Sequence, residues 1–235
     1  IFWRKKPEVT SGSGMKSDEI SAFDNITYID QIAALINGLQ EDMSKNVFSR
    51  RHYLSNIALG LRPEESLSPI DNVERGNMAL DTCHQVFYVS LRPLNEKQKE
   101  ASIQYQVEQN KAFDIEKEVK ALEFGIESML VMRSNDVMVG KPHNIAQYAL
   151  LNIMIANALG VLPLSHRHTV HDSHVYLSHV EKANEMLERT PLSLPKLYVN
   201  PDLTANRILS GNISLEDFKL IGYQSHDPIS FSLEG

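Results

Sequence analysis

The sequence predicts an α/β fold, and three observations predict it. An apolar run, Met129 to Met132, reads as a buried strand; a turn at Gly140 and Pro142 follows, and then a helix. Ile29, Ile32, Ala33, Ile36 and Leu39 recur at helical spacing, so 28–41 is an amphipathic helix. Leu150, Leu151, Met154, Ile155 and Ala158 continue the helix that begins near Asn144. Its near-absence of charge marks a buried core helix, and Gly160 ends it.

Bulk properties narrow the class. The chain has 235 residues, enough for one domain, 1–235, with a sizeable core. A net charge of −7 argues against a nucleic-acid polymer as main partner. One cysteine excludes an intrachain disulfide and fits a reducing compartment. No apolar run reaches membrane-spanning length and no signal peptide is visible, so the expected location is cytoplasmic, without a membrane partner. The first residue is Ile, not Met, so the segment is expected to start inside a longer chain or to have lost its beginning.

In order along the chain, residues 1–24 are weakly patterned: an apolar start, a basic Arg4-Lys5-Lys6, and a Ser/Gly run at 11–14 that is a native loop or a linker. After the 28–41 helix, Ser49-Arg50-Arg51 leads into a strand, His52 to Leu59. Residues 60–77 hold prolines and charges and read as a loop. Met78 to Leu91 is strand-like around Cys83. Residues 94–123 are rich in Glu, Lys and Gln, and 96–112 reads as a solvated helix. The segment 166–179 is the richest in histidine. A helix from Ser178 to Arg189 follows, closed by Pro191 and Pro195, and the end reads as a strand, a turn and a tail.

The stretch RSNDVMVGKPHNIAQY, Arg133 to Tyr148, carries the chemistry. Arg133 and Ser134 offer a guanidinium fork and a hydroxyl at one strand end, a pair suited to phosphate. Asn144 offers an amide that both donates and accepts, suited to the edge of a planar heterocycle. On pattern alone, the same residues make a strand–turn–helix with a capping Asn. Likewise Cys83, among apolar strand residues, reads as an inert small hydrophobe, and Ser49-Arg50-Arg51 as a solvated basic corner. His166, His168, His171 and His174 lack a cysteine partner set and an HExxH arrangement, so no metal is expected.

This stretch resembles the nucleotide-binding signature of thymidylate synthases and the related pyrimidine nucleotide hydroxymethylases, RSxDxxLGxPxNIAxY. The match falls at Arg133, Ser134, Asp136, Gly140, Pro142, Asn144, Ile145, Ala146 and Tyr148. Further matches cover nearly the whole chain from Tyr28 onward. The resemblance implies a layered mixed β-sheet with flanking helices, dimerising through the sheet. It makes Cys83, in LDTCH, the nucleophile whose thiolate adds to C6 of a pyrimidine and so makes C5 nucleophilic. A neighbouring Arg133 would favour the thiolate. His84 would order the site.

The same resemblance sends Arg50 and Arg51 across a two-fold interface, where with Arg133 and Ser134 of the other subunit they would cage the substrate phosphate. His174 and Tyr176, two apart on a strand and so facing one way, would hold the deoxyribose 3′-hydroxyl. Asn144 would read the base, its amide matching O4 and N3–H of uracil. Asp136 would lie beside both nucleotide and folate, and Gly140 would meet the folate pterin. The implied partners are dUMP or a related pyrimidine nucleotide, 5,10-methylenetetrahydrofolate as co-substrate, and a second copy of the chain with shared active sites. The implied reaction is methylation of dUMP to dTMP. The alternatives are folate-dependent hydroxymethylation of dUMP or dCMP, and a non-catalytic nucleotide-binding paralogue.

Several positions depart from the pattern. Met132 replaces the usual Gln of QRS, His143 the usual Phe, and Asp81-Thr82 the common prolines before the cysteine. Tyr88 stands where the family has a downstream glutamine, and Glu234-Gly235 where it ends apolar. The 94–123 segment reads as an insertion. The family's opening segment is unmatched; there the family keeps a phosphate-loop Arg, a proton-managing Glu and Trp residues beside the folate.

Overall fold

Alternating burial along the strands and one-sided burial along the helices build an α/β structure around a mixed sheet. A computed structural model describes residues 30–57 and 61–233. Helix α1 (Gln31–Lys45) is capped by Asp30, whose side chain accepts from Ala33 N, and ends at Asn46 in the left-handed region. It buries Ile32, Leu35, Ile36 and Leu39. Strand β1 (Tyr53–Ser55), helix α2 (Pro69–Glu74) and strand β2 (His84–Pro93) follow. Then come α3 (Glu96–Phe113), β3 (Phe124–Asp136), α4 (Gly140–Leu159) and β4 (Leu162–His174). A short 3₁₀ turn (Leu177–His179) leads into α5 (Val180–Leu187), β5 (Lys196–Val199), α6 (Ala205–Ser210) and β6 (Phe218–Ile221).

The main sheet runs β1-β2-β3-β4, and β5 and β6 form a separate antiparallel pair. The β1–β2 and β2–β3 pairs are antiparallel; β3–β4 is parallel, with α4 as its crossover. The expected mixed sheet with flanking helices is therefore present. Strand β3 alternates with period two, burying Ile126, Ser128, Leu130 and Met132 in the core, with α4 packed on the strand. Leu39, Leu54 and Leu130 are fully buried, so trimming any one to Ala would cost roughly 2–5 kcal/mol. Helix α4 ends at Gly160, whose φ of 66° is the left-handed conformation that a Cβ disfavours.

The structure corrects several boundaries. The loop predicted over 60–77 contains α2, started by a Ser68/Asp71 capping box with Pro69 behind the cap. The strand predicted from Met78 starts only at His84. Residues before it are held by other bonds: Met78 N donates to Leu61 O at 2.8 Å, and Arg133 donates to the carbonyls of Asp81 and Thr82. The strand predicted from His52 is Tyr53–Ser55; Ala58 and Leu59 lie outside the described residues, as do Tyr28 and Ile29 of the first helix. Residues 1–24, with the 11–14 run, and the Glu234-Gly235 end lie outside them too. Helix α3 is not solvated all round, because Ser102 and Gln109 are buried. The Ser102 hydroxyl accepts from Leu122 N at 2.9 Å, pinning the return segment to the helix.

Candidate active site

Cys83 lies half-buried at the mouth of β2. Two strands meet there. Arg133 N donates to Cys83 O at 3.0 Å, and His84 pairs with Met132 across the ladder. The Arg133 guanidinium reaches back over the same loop, donating from Nε to Thr82 O at 3.2 Å and from a terminal nitrogen to Asp81 O at 2.9 Å. So the residue on β3 that was expected to face phosphate also holds the cysteine loop by three bonds.

Behind Cys83 is a buried polar cluster. Asn144 stands inside α4, one turn past its start, and does not cap it; the N-cap is Val139, with no side-chain bond. This rules out the capping role read from pattern alone. Asn144 is 8% exposed, and its Nδ2 lies 3.1 Å from His84 Nε2 and 3.8 Å from Met132 Sδ. His84 Nδ1 lies 2.9 Å from the Tyr148 hydroxyl. A neutral imidazole protonated on Nδ1 satisfies both contacts, donating to Tyr148 and accepting from the amide. Burial lowers the pKa of His84, against a smaller opposite effect from Asn144. Tyr148 is pushed up to about 12 by burial, despite a bond from Asn56. Tyr148 follows Asn144 by four residues, so one helix face presents both. Below them His166 stacks parallel to Tyr148 at 6.4 Å and bonds Ser128 through Nδ1 at 2.9 Å. His168 Nε2 lies against Met132 Sδ. Burial lowers the pKa of both imidazoles.

The parallel β3–β4 ladder brings a second group together. Its rungs set Ser134 opposite Asp172 and Asp136 opposite His174. Ser134 Oγ donates to Asp172 Oδ2 at 3.3 Å, and His174 Nδ1 lies 3.2 Å from the same oxygen. Tyr176 falls two residues past the end of β4, not on the strand as expected. It stays extended, and its ring meets His174 edge-on at 5.0 Å. Asp136 Oδ1 accepts from Met138 N at 2.9 Å and lies 3.9 Å from Nδ1 of the buried His179. Gly140 opens α4 beside it; a Cβ there would stand 3.3 Å from Asn135 Nδ2 and 3.8 Å from Asp136 Cβ.

Arg50 and Arg51 project from the loop before β1 and are exposed. Among the described residues, no hydrogen bond or ion pair joins their side chains to Arg133, Ser134 or Cys83. Their loop is nonetheless ordered: Arg51 N donates to Ser49 Oγ at 3.2 Å, and Ser49 N to Asp42 Oδ2 at 2.9 Å. No group of three or more His, Cys, Asp or Glu side chains among the described residues is arranged to hold a metal ion. No helix among them is long and apolar enough to cross a membrane.

Comparison with known proteins decides the relationship. The family model described as thymidylate synthase matches residues 2–234. The chain belongs to the thymidylate synthase family. It is 33% identical, over 202 residues, to a protein of Mesoplasma florum named thymidylate synthase, a stretch that is 86% of this chain and 52% of that protein. The chain thus spans about half the length of that curated relative.

Within this thymidylate synthase-family chain, the structure joins Cys83, Arg133, Ser134, Asp136, Asn144, His174 and Tyr176 through two adjoining sets of contacts. Sequence reasoning missed Tyr148 as His84's partner and Met132 as the sulfur beneath Asn144. The signal for Tyr148 was the i, i+4 spacing to Asn144. It also missed Asp172, one strand period before His174, and Asp42, which no spacing connects to the Arg50–Arg51 loop.

Proposed function

We propose that this chain carries the catalytic machinery for methylating dUMP to dTMP through a cysteine adduct at C6. The observation that carries the reading is the convergence at the mouth of β2. There Cys83 is tied to Arg133, while the adjacent His84 holds Asn144. In the forward step the Cys83 thiolate forms a bond to C6, and the C5–C6 pair moves onto C5. Asn144 faces the base, with His84 behind it as an orienting partner. Arg133 and Ser134 take the phosphate with Arg50 and Arg51 of a second copy, whose exposed side chains support the sharing. His174 and Tyr176 meet the sugar. After C–C bond formation at C5, loss of the C5 proton would release the folate carrier and leave an exocyclic methylene on the ring; hydride delivered to that carbon would then expel the Cys83 thiolate from C6 and restore the C5–C6 double bond. The working form is a homodimer in the cytoplasm.

The residues at Asp136 fit a reduced folate. Its carboxylate is an acceptor suited to the N–H edge of an aminopyrimidinone, and the bare Gly140 leaves room that a side chain would crowd. When bound, 5,10-methylenetetrahydrofolate supplies the one-carbon unit and, in methylation, the hydride. Met132 in place of glutamine, with its sulfur at 3.8 Å from Asn144, favours a second reading, hydroxymethylation, in which water ends the reaction. Mass spectrometry of the product from dUMP and methylenetetrahydrofolate tests both. A methyl product is expected. A hydroxymethyl product replaces the first reading with the second, and no product from an intact dimer refutes both.

A further inference from the structure

One carboxylate oxygen brackets the Arg50–Arg51 loop. Asp42 Oδ2, on the last turn of α1, accepts from Ser49 N at 2.9 Å and meets His52 Nε2 at 2.7 Å. Ser49 immediately precedes the two arginines and His52 immediately follows them. The Asp42 and His52 side chains are 13% and 10% exposed, whereas Arg50 and Arg51 are exposed. His52 is fixed from two further directions. Its carbonyl accepts from Val89 N at 3.0 Å, and its ring lies over Gly38, where an added Cβ would stand 2.9 Å from it. The bracket therefore links α1, the arginine loop and the edge of β2. Both ends of the loop are half-buried and bonded, whereas the two arginines between them are exposed.

We propose that Asp42 and His52 are positioning residues that present Arg50 and Arg51 to the phosphate of a bound nucleotide. The inference rests on the function proposed above, in which these arginines meet that phosphate. Long arginine side chains lose much freedom on binding, and a loop with a fixed backbone lowers that cost. Neither residue touches the nucleotide, so their contribution is confined to the phosphate end of the ligand. Deoxyuridine, which has the same base and sugar, does not draw on it.

The experiment compares dUMP with deoxyuridine by calorimetry on the parent, Asp42→Ala, His52→Leu and His52→Gln, with Arg51→Ala as reference. Misplacing a charged pair should weaken dUMP by about tenfold or more in Asp42→Ala and His52→Leu, with deoxyuridine unchanged. His52→Gln, whose amide can still donate to Asp42, should recover part of the loss. Turnover at saturating dUMP should stay near parental while KM rises. Equal losses for dUMP and deoxyuridine would show a merely structural pair, and dUMP affinity within about twofold of parent would overturn the proposal outright. If Arg51→Ala keeps parental affinity, or the parent fails to bind dUMP, the function proposed above fails instead. Tryptic cleavage after Arg50 and Arg51 then decides the bracket. Cleavage should accelerate in Asp42→Ala if the loop is held as described, and an unchanged rate would refute that too.

Discussion

Tyr148→Phe isolates one hydroxyl at the centre of the buried cluster. Tyr148 is 5% exposed, and its ring lies 5.3 Å from both Phe87 and His84 and stacks on His166 at 6.4 Å. Phenylalanine keeps all three ring contacts, so the change removes an oxygen and opens almost no cavity. What is lost is the 2.9 Å contact to His84 Nδ1 and the bond with Asn56. Leaving a buried imidazole nitrogen without a partner costs about 1–3 kcal/mol. Urea unfolding followed by circular dichroism at about pH 7.5 should show that loss with an unchanged slope. The contact also predicts coupling. With His84→Leu in the second arm of a double-mutant cycle, the two losses should fall short of additivity by about 0.5–1 kcal/mol or more. His84 also holds the Asn144 amide, so Tyr148→Phe should lower kcat/KM for dUMP. A stability loss below about 0.5 kcal/mol, or strict additivity, would refute the view that the hydroxyl–imidazole contact organises this cluster.

Three further outcomes follow from the same geometry. Cys83→Ser should abolish turnover without moving the thermal midpoint, and mixing it with an inactive Arg51→Ala chain should restore activity as subunits exchange; failure to recover in mixed dimers excludes sharing of the arginines. Asn144→Asp, which replaces the amide donor with an acid, should narrow or invert a preference for dUMP over dCMP by about tenfold to a hundredfold in kcat/KM, and an unchanged ratio would remove Asn144 as base reader. Stability should also fall with acid. His84, His166 and His168 all have folded pKa values below the ordinary 6.5, chiefly through burial, so the unfolded chain takes up protons first as pH drops through that value. Each adds a slope of up to about 1.4 kcal/mol per pH unit between the unfolded and folded pKa values. Urea midpoints across that window should fall with pH, and less steeply in His166→Asn; a parallel decline in that variant would discount the cluster.

Sequence reasoning reached the parts governed by short periods. The apolar run 129–132 is the centre of β3, and the uncharged stretch after Asn144 is the core helix α4, because period two and near-complete burial leave local traces. It misjudged 78–83, where composition is strand-like but Arg133, some fifty residues away, holds the backbone. It also missed α2, since a short capped helix among prolines carries no periodic face. In the site, Cys83, Arg133 and Asn144 were legible through a motif. The contacts that hold them were not, because both are long-range: Tyr148–His84 is fixed by the packing of α4 on the sheet, and Met132–His168 by the β3–β4 register.

That register also governs where this chain can change in length. The Ser134–Asp172 and Asp136–His174 rungs are set by a parallel ladder that starts at Gly125–Leu162, shifts register by one residue at Leu164, and keeps one register from Glu127–Ser165 onward. Deleting one residue within 165–171, where the register is unshifted, would turn His174 to the opposite face of the sheet and carry Asp172 away from Ser134. Deleting two would restore the face but draw His174 back by about 6.6 Å, away from its rung opposite Asp136. Residues 114–122, between α3 and β3, lie outside the ladder and add no rung to it. Insertions and deletions compatible with activity should therefore collect within 114–122 and be absent between Ser165 and His174, a pattern that a library of single-codon insertions and deletions would read directly.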